Sequence, residues 1–136
     1  METVRTRYLG DLRTEATHVA SGKSITTDAP VDNQGRGEFF SPTDLVATAL
    51  GSCIMTIMGI AARQYGINLE GVSFAITKIM AENPRRIGEI AIVFDFTMRD
   101  YTDKQKKVLE YCVKTCPVAQ TLHPSVNQNV NLVFRD

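Results

Sequence analysis

The sequence predicts an α+β fold with antiparallel sheets and two main helices. Segments in which apolar and polar residues alternate make up most of the chain, and turn signals join them as consecutive hairpins. Only two long stretches have helical spacing, which gives the element order β-β-β-α-β-β-α-β. A length of 136 residues is typical of one domain, so we expect a single domain over residues 1–136.

Three short strands are predicted to open the chain, over residues 3–9, 12–19 and 24–27. Ser21-Gly22-Lys23 is a hairpin signal between the last two. Residues 28–40 show no hydrophobic period and are predicted to form a loop. This loop is about as long as loops become inside a compact domain, which favours a role in lining a site. Its candidate binding residues are Arg36, Glu38, Phe39 and Phe40.

The central element is a predicted helix from Ser41 to Gly66. Ser41 and Asp44 form an S-x-x-D capping box, and Pro42 suits the first helical position because an N–H there would be unpaired anyway. Gly66 can adopt the left-handed conformation that ends a helix. Apolar side chains lie all round this helix, which predicts a buried core helix. A membrane span is disfavoured because Thr, Ser and Gly interrupt the apolar run.

Such a helix needs more cover than one small chain provides. At 1.5 Å per residue it would be ~36 Å long, and a chain of this size buries only about two-thirds of its unfolded surface. We therefore expect an intertwined homodimer, in which sheets wrap around helices packed at the centre. Gly51 and Ser52 would allow two helices to approach closely.

The second half of the chain adds five elements: strands over residues 69–80 and 87–98, a helix over 101–115, a short helical turn over 117–122 and a strand over 126–134. The two long strands form a predicted hairpin with one apolar face. Pro117 disfavours helical geometry at Cys116, so we expect the preceding helix to end there.

The charge balance argues against several partners. Fifteen basic and fifteen acidic residues give a formal net charge of zero, and no basic stripe indicates nucleic acid binding. Charged residues stand where a signal peptide would have its apolar region, so we expect a cytoplasmic location, in which thiols stay reduced. The three cysteines then indicate redox chemistry, a metal site or core packing.

Cys53 is the first candidate for chemistry, although most free cysteines are simply small buried hydrophobes. A reactive role needs a thiolate, and the middle of a helix receives no positive potential from the helix N-terminus. Arg13 and Arg36 are the candidate cations, because arginine stays charged when it is partly buried. Cys116 could attack an oxidised Cys53 and form a disulfide if the two meet in space.

The remaining candidates have structural interpretations. Cys112 has the spacing of a core position. A zinc site is disfavoured because only His18 and His123 accompany the cysteines, and no cofactor is expected. Asp44 is a candidate binding residue that also has the capping interpretation given above.

Two motifs resemble the OsmC/Ohr family: S-P-T-D-L-V-A-T-A-L-G-S-C over Ser41–Cys53 and V-K-T-C-P-V-A-Q over Val113–Gln120. The order of strands and helices around them is also similar, so the resemblance extends over nearly the whole chain. The stretches G-D-L-R-T-E-A and T-D-A-P-x-D-N-Q-G resemble the OsmC-like branch more than the typical organic hydroperoxide resistance proteins. The resemblance implies an intertwined homodimer with its sites at the subunit interface.

The resemblance also implies a thiol peroxidase. Cys53 would be the peroxidatic thiolate, Cys116 the resolving thiol, and Arg13 the arginine that holds the thiolate charged. Attack on a peroxide would give a sulfenic acid at Cys53, which would condense with Cys116 to a disulfide. An external dithiol, of the lipoyl type by resemblance, would reduce that disulfide.

One position departs from the family pattern. The peroxidases carry a glutamate, hydrogen-bonded to the arginine, where this chain has Thr43, and the carboxylate stands one residue later at Asp44. One residue turns a helical side chain by ~100°. The orienting carboxylate would then come from Glu38 or Glu15, or be missing.

Two functions therefore follow from the sequence. The first is the reduction of organic hydroperoxides, with Phe39 and Phe40 as candidate lining of a pocket for the alkyl group. The alternative is a non-catalytic dimer that binds a small apolar or electrophilic ligand, in which Cys53 is a packed or sensing thiol.

Overall fold

The computed structural model describes residues 1–135. The strands are β1 Val4–Gly10, β2 Arg13–His18, β3 Ser24–Asp28, β4 Ser73–Ala81, β5 Arg86–Phe96 and β6 Asn127–Phe134. The helices are α1 Pro42–Tyr65, α2 Asp103–Thr115 and the short α3 Pro117–Thr121, with a 3-10 turn at Val31–Asn33. This order confirms the predicted α+β class. The chain divides into two compact units, Met1–Val46 and the residues from Ala47 onward.

The first unit contains a three-stranded antiparallel sheet in the order β1-β2-β3. The hairpin between β2 and β3 closes where the N–H of His18 donates to the carbonyl of Lys23 at 2.7 Å. Its register places Arg13, the first residue of β2, opposite Asp28, the last residue of β3. Residues directly opposite each other on neighbouring strands are close enough to interact, so this register brings the two side chains together.

The second unit contains a sheet in the order β4-β5-β6. Strands β4 and β5 form the predicted antiparallel hairpin, whereas β5 and β6 are parallel. The expectation of purely antiparallel sheets is wrong for this last pair. Helices α2 and α3 lie between β5 and β6 in the chain, and a crossover of this length can return the chain to the end of the sheet at which β5 began.

The core of the second unit is formed by one face of α1, the inner face of the sheet and α2. Its fully buried apolar side chains are Leu50, Ile54 and Met58 of α1, Ile90, Ile92, Phe94 and Phe96 of β5, and Leu109 of α2. Aromatic rings pack in a row along the sheet, with ring centroids 4.9 Å apart for Phe74 and Phe94.

Helix α1 has the predicted ends, since Ser41 caps it and Gly66 follows it with a φ of 65°. The prediction that it shows no face to water is wrong for a single chain, because a stripe of α1 is exposed. The exposed stripe contains Ala49, Ser52, Thr56 and Ile60, which follow one another at helical spacing.

Among the described helices, α1 alone is long and apolar enough to cross a membrane. Its inner face is fully buried at Leu50, Ile54 and Met58, as in the core helix of a globular unit.

Two strand ends differ from their predictions. Strand β4 begins at Ser73 and not at Leu69, because a turn occupies the intervening residues and the N–H of Val72 donates to the carbonyl of Leu69. Strand β5 ends at Phe96, so Met98 lies beyond the sheet and is half exposed instead of continuing its apolar face.

Candidate active site

Arg13 binds two carboxylates in the first unit. Its Nε donates to Asp28 Oδ1 at 2.7 Å and its Nη2 donates to Asp28 Oδ2 at 2.9 Å, which makes a two-point ion pair. The same Nη2 donates to Glu38 Oε1 at 2.6 Å. The guanidinium carbon also lies 4.8 Å from the ring centroid of Phe39, within the range of a cation–π contact.

The two carboxylates differ in exposure. The side chain of Asp28 is 1% exposed, whereas that of Glu38 is 60% exposed. Hydrogen bonds from Arg13 hold the pKa of Asp28 below its ordinary value, against the opposing effect of burial. Hydrogen bonds to Asp28 and then to Glu38 raise the pKa of Arg13, so the guanidinium stays charged at every pH of interest.

The backbone of the loop after β3 holds Asp28 in place. The N–H of Glu38 donates to Asp28 Oδ2 at 3.1 Å, and the N–H of Asp28 donates to the carbonyl of Phe40 at 3.1 Å. Gly35 allows the loop to close on itself, because a Cβ there would lie 1.8 Å from the carbonyl oxygen of Ala29. The loop is therefore folded around the Arg13–Asp28 pair.

Two candidate residues have other partners. Arg36 pairs with Asp11 at 3.2 Å, on the exposed turn between β1 and β2. Glu15 pairs with Arg7, directly opposite it on β1, at 3.0 Å. The suggestion that Glu15 orients Arg13 is therefore wrong, whereas the suggestion that Glu38 contacts Arg13 is confirmed.

The start of α1 has the predicted capping box. Asp44 Oδ2 accepts from the N–H of Ser41 at 2.9 Å, and Ser41 Oγ accepts from the N–H of Asp44 at 3.1 Å. Thr43 Oγ1 lies 3.2 Å from Ser41 Oγ. Of the two phenylalanines, Phe40 is 56% exposed and Phe39 is 47% exposed, so neither is an ordinary core residue.

The second unit brings Cys53 and Cys116 together. Cys53 is partly buried and packs against the core cluster that contains the fully buried Cys116. The Cys53 side chain lies near enough to contribute to the raised pKa of Cys116. Both are free thiols. The structure therefore places the two cysteines near each other.

Pro117 explains the position of Cys116. The residue before a proline avoids the helical region, and Cys116 is extended, with φ −64° and ψ 127°, so that α2 ends at Thr115 as predicted. Its Sγ turns to the start of α3, where it accepts from the N–H of Ala119 at 3.4 Å. Burial, and then the contact with Cys53, raise the pKa of Cys116, which keeps this thiol protonated at neutral pH.

Cys112 is a core residue, as predicted, with 4% of its surface exposed. Its Sγ donates to the carbonyl of Val108 at 3.2 Å, and burial raises its pKa. Its thiol is therefore protonated and already paired along its own helix.

A groove of about 490 Å³ runs between α1 and α2. Its walls include the apolar Ile57, Ile60, Ala61 and Val108, together with Cys112. Its volume lies within the range of small-molecule sites, about 300–1,000 Å³. Among residues 1–135, no group of three His, Cys, Asp or Glu side chains is arranged to hold a metal ion.

Asp28 is the residue that sequence reasoning missed, because it was assigned to the loop. The signal for it is the hairpin register. His18 faces Lys23 at the hairpin end, and counting outward from that pair along the antiparallel ladder places Arg13 opposite Asp28.

A family model described as OsmC-like protein matches residues 35–131, which is more than half of the chain. The chain belongs to the OsmC-like protein family. This match confirms the resemblance that the two cysteine motifs carried. A comparison with curated protein sequences finds no significant match.

Solved structures support the OsmC-like fold. A protein from Psychrobacter arcticus, named for an osmotic stress and detoxification response, is 48% identical, with a TM-score of 0.93 over 98% of this chain and 96% of that chain. An organic hydroperoxide resistance protein OsmC from Legionella pneumophila is 14% identical, with a TM-score of 0.72 over 97% of each chain. One from Elizabethkingia anophelis is 10% identical, with a TM-score of 0.73 over 98% of this chain and 97% of that chain. At these low identities, the last two show the fold alone.

Proposed function

We propose that this OsmC-like protein is a thiol peroxidase that reduces organic hydroperoxides. Cys53 is the thiol that attacks the peroxide, and Cys116 is the thiol that resolves the product. The observation that carries the proposal is the proximity of these two free cysteines, one partly exposed and one fully buried. Two proteins of the same fold are named for organic hydroperoxide resistance, and the proposal takes its substrate class from those names.

The proposed cycle has three steps, in which atoms and electrons are conserved. The Cys53 thiolate attacks one oxygen of the peroxide bond, the bond breaks, and the alkoxide takes up a proton and leaves as the alcohol. Cys53 is then a sulfenic acid, oxidised by two electrons. The Cys116 thiol attacks its sulfur, a disulfide forms and water leaves. An external dithiol, of the lipoyl type, reduces the disulfide and supplies two electrons and two protons.

The different environments of the two cysteines suit these roles. Burial and the nearby Cys53 raise the pKa of Cys116, so this resolving thiol keeps its proton at neutral pH. In the proposal, the guanidinium of Arg13 supplies the positive charge that a helix interior lacks.

The proposal includes an intertwined homodimer. The exposed stripe of α1, defined above, combines small residues with Ile60, which is 60% exposed in one chain. Small residues let two helices approach closely, and a second copy would cover the apolar surface that one chain leaves open.

The test is a titration of free thiols, under denaturing conditions, after one equivalent of cumene hydroperoxide. The wild type has three thiols, and disulfide formation consumes two, so one should remain. Cys116→Ser starts with two and should keep one, because the sulfenic acid of Cys53 has no partner. Cys53→Ser should keep both of its thiols.

Cys112→Ser is the matched control, because Cys112 lies one helical turn before Cys116. It starts with two thiols and should keep none, since both reactive cysteines are present. A wild type that retains all three thiols and consumes no peroxide would rule out the proposed function.

The groove between α1 and α2 favours a second candidate, a binding module for a small apolar or electrophilic ligand. Its apolar walls and volume suit such a ligand without any redox step. Iodoacetamide separates the two functions, because it alkylates thiolates and not thiols. A peroxidase requires Cys53 to react at pH 7 faster than the cysteines of the unfolded chain, whereas a binding module does not.

A further inference from the structure

We propose that the groove between α1 and α2 binds an amphiphilic anion, a ligand with an alkyl chain and one carboxylate head group. The inference rests on the second candidate function, whose ligand class it specifies, and it needs no reaction at Cys53. Among the described residues, neither Cys53 nor Cys116 lines the groove.

The two helices run in opposite directions along the groove. Cys112 Sγ lies 4.0 Å from the carbonyl oxygen of Ile57, which places the middle of α1 beside the second half of α2. Further along, Tyr65 and Lys104 together line a smaller neighbouring cavity of about 210 Å³. Later residues of α1 therefore face earlier residues of α2. The α2 wall, from Lys104 to Thr115, is ~16 Å long at 1.5 Å per residue.

The end of the groove near Cys112 is apolar. Ile57 and Ala61 line it from α1, and Val108 and Cys112 line it from α2, with each pair separated by one helical turn. The S–H of Cys112 donates to the carbonyl of Val108, so it does not need a polar partner in the groove. This floor suits an alkyl chain, because each methylene that leaves water adds to the affinity.

The other end of the groove carries positive charge. Lys104 and Lys107 stand three residues apart on α2, so their side chains lie on one side of the helix, and both line the groove. Within residues 1–135, no carboxylate forms an ion pair with either ammonium group, and no Asp or Glu is part of the groove wall. Gln64, on the α1 side, adds an amide donor. The charge of this end therefore complements an anion.

Only a ligand with both parts suits the whole groove. A neutral apolar molecule would leave the two ammonium groups without a counter-ion, and a short anion would leave the apolar floor exposed to water. The volume of about 490 Å³ is that of a small-molecule site. A chain with a terminal carboxylate places its head group between Lys104 and Lys107 and its methyl end towards Cys112.

The experiment is a calorimetric titration of the reduced full-length protein at pH 7, with decanoate as the probe, below the concentration at which it forms micelles. Decanoate should bind at one site per chain. Decanol, which lacks the charge, should bind about three- to tenfold more weakly, the effect expected of two exposed ion pairs. Acetate, which lacks the chain, should show no binding. The preference for decanoate should disappear in 1 M salt, where the Debye length is about 3 Å.

Variants locate the two parts of the ligand. The double variant Lys104→Gln/Lys107→Gln should weaken decanoate about three- to tenfold and leave decanol unchanged. Lys106→Gln is the matched control, because it removes the same charge from the same helix. The Lys106 ammonium lies 5.3 Å from the ring centroid of Phe134 and is not part of the groove, so this variant should bind decanoate as the wild type does. Ala61→Leu fills the floor and should weaken both probes about tenfold or more. The lysine variants change only exposed side chains, so the test does not depend on the folding of Ala61→Leu.

Three outcomes would overturn the proposal. They are decanol binding as tight as decanoate binding, a double lysine variant with the affinity of the wild type, and a decanoate complex that sediments at half the mass of the free protein. The first leaves an apolar binding module without its anion site, and the last assigns the groove to a second copy of the chain. A failure of the peroxidase is separate, because the Cys53→Ser variant should bind decanoate as tightly as the wild type.

Discussion

Helix α1 packs closely against β4 at Gly51, two residues before Cys53, so a larger side chain at this position should disturb the packing. A Cβ at Gly51 would lie 2.6 Å from Ile76 Cδ1 and 3.1 Å from Phe74 Cε2. Real Cβ atoms do not approach another atom to 2.6 Å, so the side chain of Ile76 and the ring of Phe74 must move to admit one. We predict that Gly51→Val destabilises the protein and displaces Cys53.

The size of the effect follows from two opposing contributions. Overpacking a well-packed core costs about 1–3 kcal/mol, and valine adds three carbons at a site where even one requires Ile76 to move. The helix gains a few tenths of a kcal/mol when glycine is replaced by valine. We therefore expect a net loss of about 1–2.5 kcal/mol, which lowers Tm by roughly 3–10 °C in a chain of this length.

The assay is urea unfolding, followed by circular dichroism at one fixed protein concentration and with a reducing agent. Gly59→Ala is the comparison, because a Cβ at Gly59 meets no atom within 4 Å in the chain. It should stabilise the helix by about 1 kcal/mol through the better propensity of alanine. A Gly51→Val variant whose free energy of unfolding lies within about 0.5 kcal/mol of the wild type, the spread of neutral surface substitutions, would contradict the predicted clash.

Two further predictions concern association and pH. Ile60→Asp places a charge in the exposed stripe of α1, where it should prevent a second chain from packing. Sedimentation should then show a monomer of 15.1 kDa, whereas the wild type should have twice that mass. A wild type that is already monomeric would contradict the dimer. Burial raises the pKa of Cys112 and of Cys116, so the folded chain holds these protons more tightly than the unfolded chain does. The free energy of unfolding should therefore be highest below pH ~8.5 and should fall as the pH rises through the pKa values of the folded chain. Cys112→Val should reduce this dependence of stability on pH. A urea midpoint that does not change from pH 8 to 10 would contradict the prediction.

The site was predictable where its residues carry local signals. Cys53 and Cys116 were chosen from their motifs, and Arg13 was chosen through the family resemblance. Glu38 was one of two suggested partners for Arg13, and the structure selects it over Glu15. The roles assigned to these residues remain proposals, as do the homodimer, the dithiol reductant and the cytoplasmic location.

The two features that the sequence did not predict have a common cause. Asp28 was placed in the loop because its own neighbours, Ala29 and Pro30, end a strand, and only its partner 15 residues earlier shows that it belongs to the ladder. The parallel pairing of β5 with β6 was missed because it depends on which end of the sheet the crossover reaches. The neighbouring residues in the sequence indicate neither the position of Asp28 in the ladder nor the parallel pairing.

Local chemistry makes three features predictable from the sequence: the capped start of α1 at Ser41, its end at Gly66, and the end of α2 before Pro117. Each depends on backbone geometry and hydrogen bonds within a few residues, so composition and spacing are enough to predict it. Which side chains meet depends on the tertiary fold. Arg13 contacts Asp28 because of the sheet register, and Cys53 lies near Cys116 because of core packing, although the members of each pair are far apart in the chain.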